Sequence, residues 1–232
     1  MPTVRFRNST GNVLIDGTYK NLAVRASGQV TTVPTFVPNL SRAYLTLPAD
    51  QAVMAFRCAN PCSIFSVTYS GGNATYEFCT AGGNAVVSYW QFDLPKYTAG
   101  PANWPKLIVR DPVTGEVVFD SRLKYMRILD FIERSMVDAN ANPYQPTYAG
   151  KVVAVVESKR AWNMVSQLVP GNPPYAVGGY SGSFASTPSN TQVSIDKNRG
   201  YYDFSEQPAN PNGYPAGYSY QSSYMVLDVS NF

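Results

Sequence analysis

Six acidic residues are where chemistry could start in this chain: Asp16, Asp93, Asp120, Asp196, Asp203 and Glu206. Two carboxylates flanking a glycosidic bond can cleave it, one acting as acid and the other as base or nucleophile. Histidine is absent from all 232 residues. That removes the commonest general base, the Ser-His and Cys-His nucleophile pairs, and the usual zinc ligand set. Carboxylate pairs, lysine, or a metal held by oxygens remain. Asp16 and Asp120 each end a strand just before a small residue, Gly17 or Ser121. In that setting a side-chain oxygen normally bonds the backbone of a turn, so both are expected to be turn locks. Asp93, Asp196, Asp203 and Glu206 lie in loop-like sequence, and no spacing links them.

Other constellations are weaker. Asp196, Asn198 and Asp203 could hold calcium through loop oxygens, but the segment lacks the repeated acidic ligands of a calcium loop. Gly71-Gly72 and Gly178-Gly179 are not followed by a helix and a Lys-Ser/Thr pair, so they read as turns and not as phosphate loops. No motif calls for a cofactor or a metal. The three cysteines, Cys58, Cys62 and Cys79, are an odd number in one segment and read as small buried thiols. A Cys58–Cys62 or Cys62–Cys79 bridge is the alternative. The last constellation is aromatic: Tyr175, Tyr180, Tyr201, Tyr202, Tyr214, Tyr218 and Tyr220, set among glycines and asparagines. Such rings can stack on a receptor or glycan, or pin loops to their own sheet or to a neighbouring subunit.

The elements that must position these residues are strands. Residues 10–17 read TGNVLIDG and residues 114–121 read TGEVVFDS, the same phrase 104 positions apart. Val4-Arg5-Phe6 aligns with Ile108-Val109-Arg110, and Lys20-Asn21-Leu22 with Lys124-Tyr125-Met126. Each copy reads as a β-meander around a Thr-Gly turn. Between them, strands are expected at Ala43–Leu47, Ala52–Cys58, Ser63–Tyr69, Ala74–Cys79 and Ala85–Phe92. Ser70-Gly71-Gly72-Asn73 is a strong hairpin turn. Residues 95–105, rich in proline, read as a loop or domain joint. Asp130–Val137 reads as a helical turn or a continued strand, and Ala161–Val169 as a strand or short helix. Lys151–Glu157 (KVVAVVE) is apolar enough for a central strand. Residues 170–217 turn to Gly, Pro, Asn, Ser and Tyr, which fits long loops and irregular strands. Tyr218–Val229 is expected to return as a final strand.

The whole reads as an all-β protein: an antiparallel β-sandwich with two related meanders and a loop-rich Tyr/Gly C-terminal part. Residues 1–169 would form the core, and 170–232 would pack on it. Charged residues make up 14% and the net charge is +3, with no run of Lys or Arg, so nucleic-acid binding by counterion release has little support. There is no apolar leader after Met1, and no run of about 18 apolar residues that would span a bilayer. Membrane insertion is not expected.

Two of these segments carry a family likeness. Gly11, Ile15-Asp16 and Asn21-Leu22-Ala23-Val24-Arg25 form one pattern; Trp90-Gln91-Phe92-Asp93 and Gly115 to Ser121 (GEVVFDS) form the other. Together they resemble the tail-tip or baseplate adsorption proteins of tailed bacteriophages, the receptor-binding or minor tail group. The likeness spans about the first 130 residues and leaves the Tyr/Gly-rich end unmatched. It implies a β-sandwich virion protein of the tail, assembled in the host cytoplasm. It also implies a symmetric homo-oligomer, trimer or hexamer, partnered by other tail proteins. A host surface glycan or protein would be its receptor, and no enzymatic activity is implied. The rival readings are a carboxylate-based polysaccharide depolymerase of the tail, a stand-alone carbohydrate-binding sandwich, and a capsid decoration protein.

Overall fold

The computed structural model describes residues 5–7, 9, 13–16, 21–35, 39–98, 100, 102, 107–135, 143–169, 175–203 and 217–232. Strand residues 5–7, 13–16, 163–169, 175–181, 196–203 and 217 are described by their backbone alone. Eighteen strands follow one another among these residues. They are β1 (Arg5–Arg7), β2 (Val13–Asp16), β3 (Ala23–Thr31), β4 (Val33–Pro34), β5 (Leu40–Pro48), β6 (Val53–Arg57), β7 (Cys62–Ser70), β8 (Asn73–Ala81) and β9 (Val86–Asp93). After a 3-10 turn at Pro95–Tyr97 come β10 (Ile108–Arg110), β11 (Val117–Asp120), β12 (Ile128–Ser135), β13 (Val153–Lys159) and β14 (Trp162–Val169). The chain closes with β15 (Tyr175–Ser186), β16 (Ser194–Asp203), β17 (Gly217–Ser219) and β18 (Gln221–Asp228).

Two large antiparallel sheets form a sandwich. One has six strands in the order β12-β18-β13-β6-β9-β3. The other runs β17-β14-β15-β7-β8-β5-β4, with β16 paired to β15. The main core lies between them. Phe56, Val153, Val155 and Val226 from the first sheet meet Tyr76, Phe78, Ala185 and Ile195 from the second. Phe56 and Phe78 touch edge to face across the interface, with ring centroids 6.3 Å apart.

The six-stranded sheet is buried on its other face too. Ala154, Val156 and Leu227 alternate with the inward residues and pack with Phe92, Val229 and Phe232. A strand covered on both sides reads as a continuous apolar run rather than an alternating one. That is why KVVAVVE looks as it does, with Val153, Ala154, Val155 and Val156 all at 5% exposure or less. The β7–β8 hairpin turns where expected: Ser70 pairs with Asn73, and Gly71 and Gly72 take φ of 56° and 77°. Positive φ at both central positions suits the twist of the flanking strands and favours glycine.

The repeated phrase folds twice into the same hairpin, with a corrected alignment. Arg5, Phe6 and Arg7 pair with Asp16, Ile15 and Val13, and the register shifts after Phe6. Ile108, Val109 and Arg110 pair with Asp120, Phe119 and Val117, and the register shifts after Val109. The equivalent of Ile108 is therefore Arg5, not Val4, because the second turn is one residue longer. The segments that follow the two copies pair with each other. Ala23 bridges Tyr125, Val24 N–H donates to Lys124 C=O at 2.8 Å, and Met126 N–H to Leu22 C=O at 2.9 Å.

Two ambiguous segments resolve as strands. Asp130 onward continues β12, with Asp130–Ser135 paired to Val226–Gln221, so the helical alternative is discarded. Residues 162–169 form β14 against β15. In the C-terminal part, two long stretches expected as loops or irregular strands are regular ladders. Gly178–Gly182 of β15 pair with Asp203–Arg199 of β16. A strand with glycines at 178, 179 and 182 has weak propensity of its own and is held by partners on both sides.

Candidate functional site

The tyrosine cluster divides in the structure. Tyr175 and Tyr180 lie on β15, and Tyr201 and Tyr202 on β16. Tyr180 is the register partner of both Tyr201 on β16 and Met164 on β14, and Tyr202 that of Gly179. Tyr214 falls outside the described residues. Tyr218, on β17, pairs with Asn163 of β14. Tyr218 and Tyr220 are exposed, at 64% and 42%. Their rings stack with centroids 4.4 Å apart and planes 27° from parallel. A stacked exposed pair of this kind offers a flat aromatic platform with two hydroxyls, ordered before any partner arrives. β15 joins the sandwich through its later half, where Ala185 pairs with Cys62 of β7.

Two of the carboxylates are fully engaged as structure. Asp93, fully buried at the end of β9, accepts four hydrogen bonds. Arg25 Nη1 and Asp50 N–H donate to Oδ2 at 2.7 and 3.0 Å, and Gln51 and Leu94 N–H to Oδ1 at 3.2 and 2.7 Å. Burial raises its pKa, but the Leu94 N–H, Arg25 and the other donors outweigh that and leave the carboxyl below its ordinary value. A group saturated in this way staples three segments together. Asp120 is the turn lock expected of it. Its Oδ1 accepts from Arg122 N–H at 3.0 Å and from Nε at 2.9 Å, and its Oδ2 from Nη2 at 2.6 Å. The Asp16, Asp196 and Asp203 side chains and all of Glu206 lie outside what is described. Among the described residues no group of three or more His, Cys, Asp or Glu could hold a metal ion. All three cysteines are free and buried.

One carboxylate stands out that the sequence did not mark. Glu157 ends the apolar run of β13 and reaches from one sheet to the other. Ser63 Oγ and Ile64 N–H of β7 donate to its Oε2 at 2.8 and 2.9 Å. The Tyr224 hydroxyl of β18 lies 3.5 Å from its Oε1 and 2.8 Å from Ser183 Oγ of β15. Burial pushes the Glu157 carboxyl up to about 7, against the pull of Arg160 and the hydrogen-bond donors. The residue is only partly covered because it also borders an open cleft of about 510 Å³, walled by Met54, Val67, Tyr69 and Met225. The packing around the carboxyl itself sets its protonation. Pairing between β6 and β13 is reduced to Val155 opposite Phe56. Glu157 lies just past that pair, in β13.

No protein-family model, no curated protein and no solved structure matches the chain. Among the described residues no helix is long and apolar enough to cross a membrane.

Proposed function

We propose that the chain is a non-enzymatic structural protein of a phage tail tip or baseplate, in which the two-sheet sandwich is the scaffold and the tyrosine-bearing strands β14–β17 are the contact surface. The observation that carries this reading is the exposed Tyr218–Tyr220 stack, set beside strands that bring Tyr180 and Tyr201 into register. Stacked rings give large contact area at small entropic cost when a partner binds. The likeness of the two repeated segments to tail-tip and adsorption proteins supplies the virion context. It also suggests a symmetric homo-oligomer, other tail proteins as neighbours, and a host surface glycan or protein as receptor.

The polysaccharide-depolymerase reading loses one of its candidates, since both oxygens of Asp93 accept hydrogen bonds from an arginine and backbone N–H groups. The test is mass spectrometry of density-purified particles from the strain that encodes the chain. Peptides of this protein at a fixed stoichiometry, in multiples of three or six, are expected. Absence from particles, or release of reducing sugar by the purified chain, would overturn the proposal.

A further inference from the structure

We propose a second binding site, for a sugar unit carrying an oxyanion (a carboxylate or a phosphate), in the cleft of about 690 Å³ where the exits of the two repeated hairpins meet. The cleft is separate from the tyrosine strands. Arg122, Lys124 and Arg127 line it, and among the described residues no Asp or Glu does. Arg122 is already neutralised by Asp120, 2.6 Å away. The other two cations converge on one ring: Lys124 Nζ lies 5.9 Å and the Arg127 guanidinium carbon 5.1 Å from the centroid of Phe232.

Among the described residues, counter-charge within ion-pair distance of this pair is scarce. Asp228 lies 3.7 Å from Arg127 but 3.1 Å from Lys151, so one carboxylate serves two cations. Lys124 has no carboxylate within ion-pair distance among the described residues. Two like charges gathered at one aromatic ring leave a positive potential that an oxyanion would neutralise.

The rest of the wall specifies what should carry the oxyanion. Val24, Leu123 and Phe232 offer an apolar bed, and Ser121 and Asn231 offer a hydroxyl and an amide. A pyranose ring has one apolar face and a rim of hydroxyls, which matches a bed beside such a rim. The volume fits one to a few rings, within the usual range for small-molecule sites.

The test is calorimetric titration of the purified full chain with tri-galacturonate, glucose 6-phosphate, maltotriose and inorganic phosphate. At least one of the two acidic sugars is expected to bind, and whichever binds assigns the head group. Neutral maltotriose should give no heat at the same concentration, and inorganic phosphate should bind more weakly than the acidic sugar. A Lys124→Gln/Arg127→Gln double variant should lose about tenfold or more in affinity. Its melting temperature should be unchanged, because both side chains are exposed and the Lys124 carbonyl that Val24 bonds is retained. Phe232→Ala should weaken binding in the same direction. Failure of both acidic sugars, equal affinity for maltotriose or for inorganic phosphate, or a double variant that binds like wild type would each overturn the site. A chain absent from particles would refute the tail proposal and leave this site standing; sugar binding lost while particle content holds would do the reverse.

Discussion

The two sheets of the sandwich differ in what lies on their far sides. The six-stranded sheet is covered twice, by the main core on one face and by Phe92, Leu227 and Val229 with their neighbours on the other. Its central strand β13 carries Val or Ala at each of its first four positions. The eight-stranded sheet has its main core on one face; its outer face holds a smaller cluster of Leu40, Cys79 and Phe184 and keeps Tyr44 at 62% exposure. Toward β14–β17 its sequence turns to glycine and tyrosine. The difference separates two jobs. The part of a sheet that is buried on both faces cannot meet a partner without unfolding, so β13, β6 and β18 serve as scaffold. A sheet with a free face and glycine-rich strands can place aromatic rings where something else can reach them.

The comparison breaks most severely at the scaffold. Phe56→Ala removes a fully buried ring from the inter-sheet contact and should cost about 3–5 kcal/mol, read as a lowered denaturant midpoint. Tolerance of that change would mean the sheets are not held by this core. Next is Asp93→Ala, which leaves a half-buried arginine and three backbone N–H groups without their acceptor. A loss of about 2–4 kcal/mol is expected in the same assay. Asp93→Asn should recover only part of it, because the charge that holds Arg25 is gone.

Glu157 sharpens the comparison, since it is a polar tie between the two sheets. Its carboxyl titrates at about 7 in the folded protein against an ordinary value of 4.5, so the folded state holds the proton more tightly. The stabilising contribution of that proton is complete below about pH 4.5 and is lost as pH rises through about 7. Thermal melts between pH 5 and pH 8 should show the wild type losing roughly 1–3 kcal/mol from this group. Glu157→Gln should flatten that loss. Parallel pH curves for the two proteins would show that the carboxyl is open to solvent.

The smallest effect on stability should come from Tyr218→Ser with Tyr220→Ser. Exposed rings contribute little to folding, so a change within about 0.5 kcal/mol is expected. Adsorption of particles carrying the double change, or assembly of the oligomer, should nonetheless fall. A large drop in melting temperature would place the two rings in the scaffold instead.

Much of the fold was legible because strand signals are local. The Gly71-Gly72 turn, the TGxV hairpins and the apolar KVVAVVE run all appear where short-range chemistry demands them. Asp120 was readable as a turn lock because its partner is Arg122, two residues away. Asp93 was not readable: its partners Arg25, Asp50 and Gln51 are brought to it by sheet pairing across 68, 43 and 42 residues. Glu157 was hidden for the same reason, since Ser63 and Ile64 reach it from the opposite sheet. The ladders of β15 and β16 escaped notice because glycine lowers strand propensity, and only the neighbouring strands supply the order. Lys124 and Arg127 are ordinary surface cations until the pairing of residues 22–24 with 124–126 gathers them beside Phe232.

The central claim, a scaffold sheet and a contact sheet in one tail protein, is tested most directly by electron microscopy of intact particles labelled with antibody to this chain. Gold at the tail end, together with loss of adsorption when the antibody is present, is the result the account predicts. Label on the head, or none on any particle, would contradict it.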